Sequence, residues 1–236
     1  MDKIEFPSLS RAYIVANFVA TVDGKIAGPG PNYWPIGSRA DLQSLLDLRA
    51  ACDVLVHGRQ TAMSLDHVGR LGSKEFERRR EPRGQDNPYT YMVLSAHPDE
   101  LLLAHIAPAG RRVNVVLVTT EAADSFREIP EGIEVWRCGS DVIDLVKWRG
   151  ELLGHGFRNC ALEAGPKLFG AVVAARLVDE LWLTVAPKLF GTSFGTPTMI
   201  NGQLFEAGQV PALEVVSLRQ LENEIYVRYR FKQVAE

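Results

Sequence analysis

Two short stretches of this chain join residues that do chemistry to residues that let a ligand approach the backbone. The first is Leu162-Glu-Ala-Gly-Pro166. An apolar run over residues 160–162 ends in a carboxylate, and Ala164-Gly165 follows before Pro166. Pro166 suits the first position of a helix, where its missing N–H has no intrahelical partner to lose. Leu168, Val172, Val173, Ala175 and Leu177 continue with helical spacing, and residues 181–185 read as another buried strand. Strand, turn, helix and strand make a βαβ unit with parallel strands. Its strand-to-helix turn lies at the carboxyl edge of the sheet, where helix amides attract anions and small residues admit a phosphate or a cofactor ring. A carboxylate beside a buried strand is costly unless it is partnered, which makes Glu163 a candidate functional group. The second stretch is Gly58-Arg-Gln-Thr61, directly after a short apolar strand over residues 53–57. It is another glycine-opened turn, and Thr61 is placed to cap a helix or bind a phosphate. Asp23-Gly24, following apolar residues 12–19, is a turn signal of its own.

Other chemistries find no support. His57, His67, His97, His105 and His155 show no i, i+4 pairing and no cysteine companions, so no metal is expected. Cys52, Cys138 and Cys160 are dispersed in apolar settings, as buried thiols in a reducing cytoplasm would be. A formal net charge of −3 offers no broad basic face for nucleic acid. No run approaches the roughly 20 apolar residues of a membrane helix. The opening Met-Asp-Lys-Ile-Glu-Phe-Pro lacks the layout of a secretion signal, so a cytoplasmic location is expected.

The elements that must position these residues follow from pattern. Residues 12–19 form a strand with Asn17 in its middle, and the Gly/Pro-rich residues 28–35 form a loop. Ser38 reads as the N-cap of a helix whose apolar stripe is Leu42, Leu45, Leu46, Leu48 and Ala51. Residues 63–88, including Glu77-Arg-Arg-Arg-Glu-Pro-Arg83, read as a charged surface loop. Strands are expected over 89–94, ending near Ser95, and over 113–118 and 133–136. A short helix is expected near 121–126, and another marked by Val142, Ile143, Leu145, Val146, Leu152 and Leu153. Residues 192–209 read as loop, and 213–218 with 225–231 as an antiparallel hairpin. The 236 residues carry no repeat, low-complexity tract or linker, so residues 1–236 are expected to form a single domain.

In order and spacing, these pieces resemble the reductase of riboflavin biosynthesis, the C-terminal half of the bifunctional pyrimidine deaminase–reductase, in its stand-alone form. The resemblance is carried by Thr21-Val-Asp-Gly-Lys-Ile-Ala27, Ile36-Gly-Ser38, Leu48-Arg-Ala-Ala-Cys-Asp-Val-Leu-Val-His-Gly-Arg-Gln-Thr61, Leu162-Glu-Ala-Gly-Pro166, Leu177-Val-Asp-Glu-Leu181 and Ala186-Pro-Lys-Leu-Phe-Gly191. It implies an α/β, dihydrofolate-reductase-like fold: a mostly parallel central sheet flanked by helices, with an antiparallel C-terminal hairpin. It also implies a homodimer and NADPH as hydride donor. The implied reaction reduces the ribosyl C1′ of a 5-phosphoribosylamino-pyrimidine to the ribitylamino product, as in 5-amino-6-(5-phosphoribosylamino)uracil reductase. By the same resemblance Gly58, Arg59 and Thr61 would face the cofactor pyrophosphate, Ser95 the adenosine side, and Ala164, Gly165, Pro166, Lys167 and Leu168 the nicotinamide half. Asn17, Ser38 and Arg49 would contact substrate, Arg49 through its phosphate. Asp23 and Glu163 would bond ribose hydroxyls or assist proton movement.

The chain departs from the family pattern in four places. Ala164 stands where the family has a second glycine, and Asn17 where many bacterial members have lysine. The Asp-Asp-Pro segment expected after Thr61 is missing, leaving Asp66 near its place. The zinc-binding His-x-Glu and Pro-Cys-x-x-Cys of the deaminase half are absent. Two alternatives remain open: a reductase of another small heterocycle such as a dihydropterin, and a non-catalytic dimeric ligand-binding protein.

Overall fold

A computed structural model describes residues 4–28, 35–64, 71–81, 89–123, 128–192 and 196–232. Its elements are β1 (Tyr13–Thr21), α1 (Arg39–Ala51), β2 (Val54–Gly58), α2 (Arg59–Ser64), α3 (Lys74–Arg80), β3 (Thr90–Leu94), α4 (Glu100–Ile106), β4 (Asn114–Thr119), β5 (Ile133–Arg137), α5 (Leu145–Gly154), β6 (Asn159–Leu162), α6 (Pro166–Ala174), β7 (Glu180–Ala186), β8 (Leu213–Leu221) and β9 (Glu224–Phe231). The chain divides into two compact units, each built from two stretches: Met1–Tyr13 with Leu46–Glu163, and Ile14–Leu45 with Ala164–Glu236.

In the first unit β2 pairs in parallel with β3 and β6, β3 with β4, and β4 with β5. Strands 54–57 and 90–94 are buried throughout, as parallel strands covered on both faces must be. Helices form where sequence supplies caps. Asp144 accepts from the amides of Val146 and Lys147 and starts α5, and Asp99 accepts from Leu102 to start α4. The α5 helix closes through Gly156 at φ 84°, with Phe157 N–H on Leu152 O and Gly156 N–H on Leu153 O. That is the paired-bond ending that favours glycine.

In the second unit β1 pairs in parallel with β7, while β7–β9 and β8–β9 are antiparallel. The α/β class, the parallel preponderance and the C-terminal hairpin are as expected. Phe18 packs against Phe169 of α6 with ring centroids 4.7 Å apart, so β1 turns Asn17 to its other face. The same two-bond ending closes α6, but here Arg176 occupies the left-handed position at φ 58°.

Three expectations need correction. Residues 63–88 are not simply loop: α2 reaches Ser64, and α3 forms from the charged run, capped by Ser73 and burying Phe76 and Arg80. Glu75 and Glu77 sit in its first turn and Arg78–Arg80 in its last, the order that complements the helix dipole. Residues 121–122 form a turn rather than a helix, and the rest of that expectation, 124–127, lies outside the described residues. The Asp144 cap starts α5 at Leu145, so Val142 and Ile143 precede it. The cores of the expected loops at 29–34 and 193–195, and Asp66, also lie outside the described residues.

Candidate active site

In the first unit, parallel strands β3, β2 and β6 bring their carboxyl ends to one edge, the side on which open α/β sheets bind ligands. The residues after those ends are Ser95, then Gly58-Arg59-Gln60-Thr61, then Glu163. Three of the predicted groups therefore sit on adjacent strands although they are remote in sequence. The Glu163 amide donates to Val56 O, extending the β6–β2 ladder and placing the carboxylate at the rim.

Glu163 is gripped from within. Arg49 of α1 donates through Nε to Oε1 and through Nη2 to Oε2, each at 2.6 Å. Only 1% of the Arg49 side chain and 10% of the Glu163 side chain are exposed. Burial alone would raise the Glu163 carboxyl. The Arg49 charge and hydrogen bonds, with a contribution from His57, override it and hold the group well below the usual carboxylate range. Glu163 is thus a fixed anion: a hydrogen-bond acceptor, not a proton donor. The guanidinium that sequence reasoning assigns to a substrate phosphate is engaged by Glu163 and buried, so Arg49 has a supporting place rather than an exposed one.

Two further residues complete this cluster: Tyr91, which the sequence does not mark, and His57, which it marks more readily as a satisfied strand-end histidine than as a ligand contact. His57 Nδ1 lies 3.1 Å from the Tyr91 hydroxyl, and His57 Nε2 lies 3.5 Å from Glu163 Oε2. Burial lowers the His57 pKa and keeps the ring neutral despite the neighbouring carboxylate. A histidine interrupting the apolar run Val54-Leu-Val was the available signal.

Of the other predicted residues in this unit, Arg59 pairs with Asp99, with 39% and 48% of the two side chains exposed. Such a pair is weak in water and exchanges readily for a stronger anion. Thr61 is half-buried in α2, and Ser95 is buried with its amide on Val118 O.

The second unit holds the remaining predicted residues. Asp23 Oδ1 accepts from the Thr21 hydroxyl at 2.5 Å and the Phe190 amide at 3.2 Å, and Oδ2 from the Gly191 amide at 2.8 Å. These bonds, the Thr21 hydroxyl first, lower its pKa. Asp23 therefore clamps the turn after β1 to the loop after β7. Lys188 on that loop donates to Pro35 O and Ile36 O, holding the entry to α1. Ser38 is the cap the sequence predicts, accepting from the amides of Ala40 and Asp41, and it donates its hydroxyl to buried Glu224 at 2.7 Å. Tyr226 donates to the same carboxylate, which sequence reasoning did not single out. Asn17 is half-buried opposite Trp182 in the β1–β7 register. Gly165 caps α6 without a side chain, Pro166 takes the first position, and the first intrahelical bond runs from Phe169 N–H to Gly165 O. The amides of Lys167 and Leu168 therefore have no acceptor within the helix. The Ala164 methyl, standing for the family's glycine, is buried at 6% exposure and turned away from solvent.

Residues 12–227 match the family model described as the RibD C-terminal domain. The chain is 26% identical over 195 residues to a 2,5-diamino-6-ribosylamino-4(3H)-pyrimidinone 5′-phosphate reductase of Archaeoglobus fulgidus, covering 83% of this chain and 89% of that one. It is 27% identical over 229 residues to the protein of the same name from Methanothermobacter thermautotrophicus, covering 94% and 99% of the two. Among solved structures, Acinetobacter baumannii RibD superposes with a TM-score of 0.75 at 20% identity over 94% of this chain, a likeness of fold. The chain spans 59% of that protein's length. Among the described residues no helix is long and apolar enough to cross a membrane.

Proposed function

The chain belongs to the RibD C-terminal domain family, and from that premise we propose that it is an NADPH-dependent reductase of riboflavin biosynthesis. Its substrate on this reading is 2,5-diamino-6-ribosylamino-4(3H)-pyrimidinone 5′-phosphate, the compound in the names of the archaeal relatives, rather than the deaminated uracil. The observation that carries the reading is the buried Glu163, gripped by Arg49 at the carboxyl edge of β6, one strand from the Gly58–Thr61 turn.

The residues fit a nicotinamide dinucleotide. Arg59 is part-exposed and pairs with a comparably exposed Asp99, so a pyrophosphate would draw it away, with Gly58 admitting the phosphate and the Thr61 hydroxyl donating to it. Ser95 closes the neighbouring strand on the adenosine side. The amides of Lys167 and Leu168, after Ala164, Gly165 and Pro166, suit the carboxamide and phosphate of the nicotinamide half. The dinucleotide, when bound, supplies the hydride that reduces C1′. Glu163 accepts a ribose hydroxyl without transferring a proton, which orients the sugar carbon for attack. Asp23 keeps the loop at 190–191 in place, and on this reading Asn17 and Ser38 contribute to substrate binding. Assembly as a homodimer is supported by β8, a nine-residue edge strand with Val215 59% and Leu218 66% exposed, since such an edge calls for a partner.

The test is NADPH oxidation at saturating enzyme with the diamino pyrimidinone, the deaminated uracil and a dihydropterin, each repeated with NADH. Turnover of the diamino compound with NADPH is expected. Turnover of the dihydropterin alone, or none with any pair, overturns the reading. Light scattering of the purified protein at twice the chain mass is the expected result for the dimer.

A further inference from the structure

Among the described residues, two buried side-chain polar atoms lack a hydrogen-bond partner, and one of them, His57 Nε2, points at the Glu163 carboxylate. The ring is 1% exposed and meets Tyr91 edge-on, at 85° with centroids 5.3 Å apart. A neutral imidazole carries one ring proton, so its two neighbours decide the tautomer. With the proton on Nδ1, the bare Nε2 lone pair would face a carboxylate oxygen, and the two would repel. With the proton on Nε2, the Tyr91 hydroxyl donates to Nδ1 and Nε2–H points at Glu163 Oε2. Only the second arrangement satisfies every group.

We propose that Tyr91 and His57 are positioning residues that form a donor relay to Glu163 and so set which carboxylate oxygen meets the substrate. The inference rests on Glu163 contacting substrate, as proposed above. Arg49 already places one donor on each oxygen. The relay adds a second donor to Oε2, which fills that oxygen's lone pairs and leaves acceptor capacity on Oε1. A substrate hydroxyl is thereby directed to Oε1. A shift of about 0.5 Å closes the 3.5 Å gap to ordinary hydrogen-bond length.

The experiment has two independent readouts. Nitrogen-15 spectra of histidine-labelled protein without substrate should show His57 protonated on Nε2 and accepting on Nδ1. Tyr91→Phe should move the Nδ1 resonance, and Glu163→Gln the Nε2 resonance. In steady state, His57→Val should reduce kcat/KM for the pyrimidine by about tenfold, the loss expected for a hydrogen bond to a charged group. The dissociation constant for NADPH should stay unchanged. His57→Gln, which keeps an N–H donor near the Nε2 position, should recover most of that loss. Tyr91→Phe should act in the same direction and add nothing in the His57→Val background. An Nδ1-protonated ring, a Tyr91→Phe spectrum with Nδ1 unmoved, or wild-type kinetics in His57→Val each overturns the relay. Glu163→Gln with full turnover would instead refute the reading of Glu163 itself, so the two failures are distinguishable.

Discussion

Replacing Arg49 by methionine strips a buried carboxylate of its main partner. With Arg49 1% and Glu163 10% exposed, water cannot substitute for the lost guanidinium. Breaking one side of such a pair costs about 3–5 kcal/mol, because the remaining charge stays buried. For a chain of this length about 1 kcal/mol lowers Tm by roughly 2–4 °C, so Arg49→Met should melt roughly 6–20 °C below wild type. Replacing both residues together, Arg49→Met with Glu163→Leu, removes the charge that makes the single change costly. Buried pairs exchanged for apolar residues of similar volume are often neutral or better, so the double variant should return to within about 1–2 kcal/mol of wild type. Urea midpoints at constant m, with thermal melts alongside, measure both. The double variant should nevertheless be inactive if Glu163 orients substrate, which separates stability from function in one protein. A single substitution costing under about 1 kcal/mol would show that the pair is solvated in solution and would refute the reasoning.

Three further outcomes follow from the geometry. Burial depresses the His57 pKa, so the unfolded chain binds a proton that the native one refuses: native stability is full above about pH 6.5 and falls by up to about 1.4 kcal/mol per unit below it. Melts from pH 7 to pH 5 should therefore be flatter for His57→Gln than for wild type, while loss of the Glu163 contribution begins only below about pH 4.5, and parallel curves would contradict the assignment. Arg176→Gly should stabilise the chain by about 0.5–1 kcal/mol, because a left-handed arginine ends α6 where glycine ends α5; a urea midpoint that does not rise counts against it. Gly139→Ala should cost at least about 2 kcal/mol by the same measurement, since φ is +90° and a Cβ would stand 2.2 Å from Val142 O, a backbone atom that cannot swing away.

Strands were legible because burial writes itself as apolar runs. Residues 54–57, 90–94 and 115–118 are nearly free of polar residues, and the turns after them carry glycine, serine or threonine. Helices α3 and α4 escaped because each buries only two or three side chains, too few for a period to emerge. Their signal was in the caps, Ser73 and Asp99, followed by acids in the first turn, a pattern of a few residues that charge-rich surroundings obscure. Ser38 shows the converse. Its capping role reads directly from sequence, but its bond to Glu224, 186 positions away, belongs to the tertiary structure.

Arg49 and Glu163 mark the deeper boundary of what sequence carries. An arginine on a helix and a carboxylate at a strand end are each common ligand-binding groups, and their residue types say nothing of whether they face a ligand or each other. Separated by 114 positions, they meet only because β6 lies beside β2, the strand that follows α1. Once they meet, the chemistry changes. A solitary carboxylate at that rim would have its pKa raised by burial and could serve as an acid, whereas the paired one is held ionised and can only accept. The residue type marks the position, but the pairing decides its charge: beside Arg49, Glu163 is an ionised acceptor rather than a neutral acid.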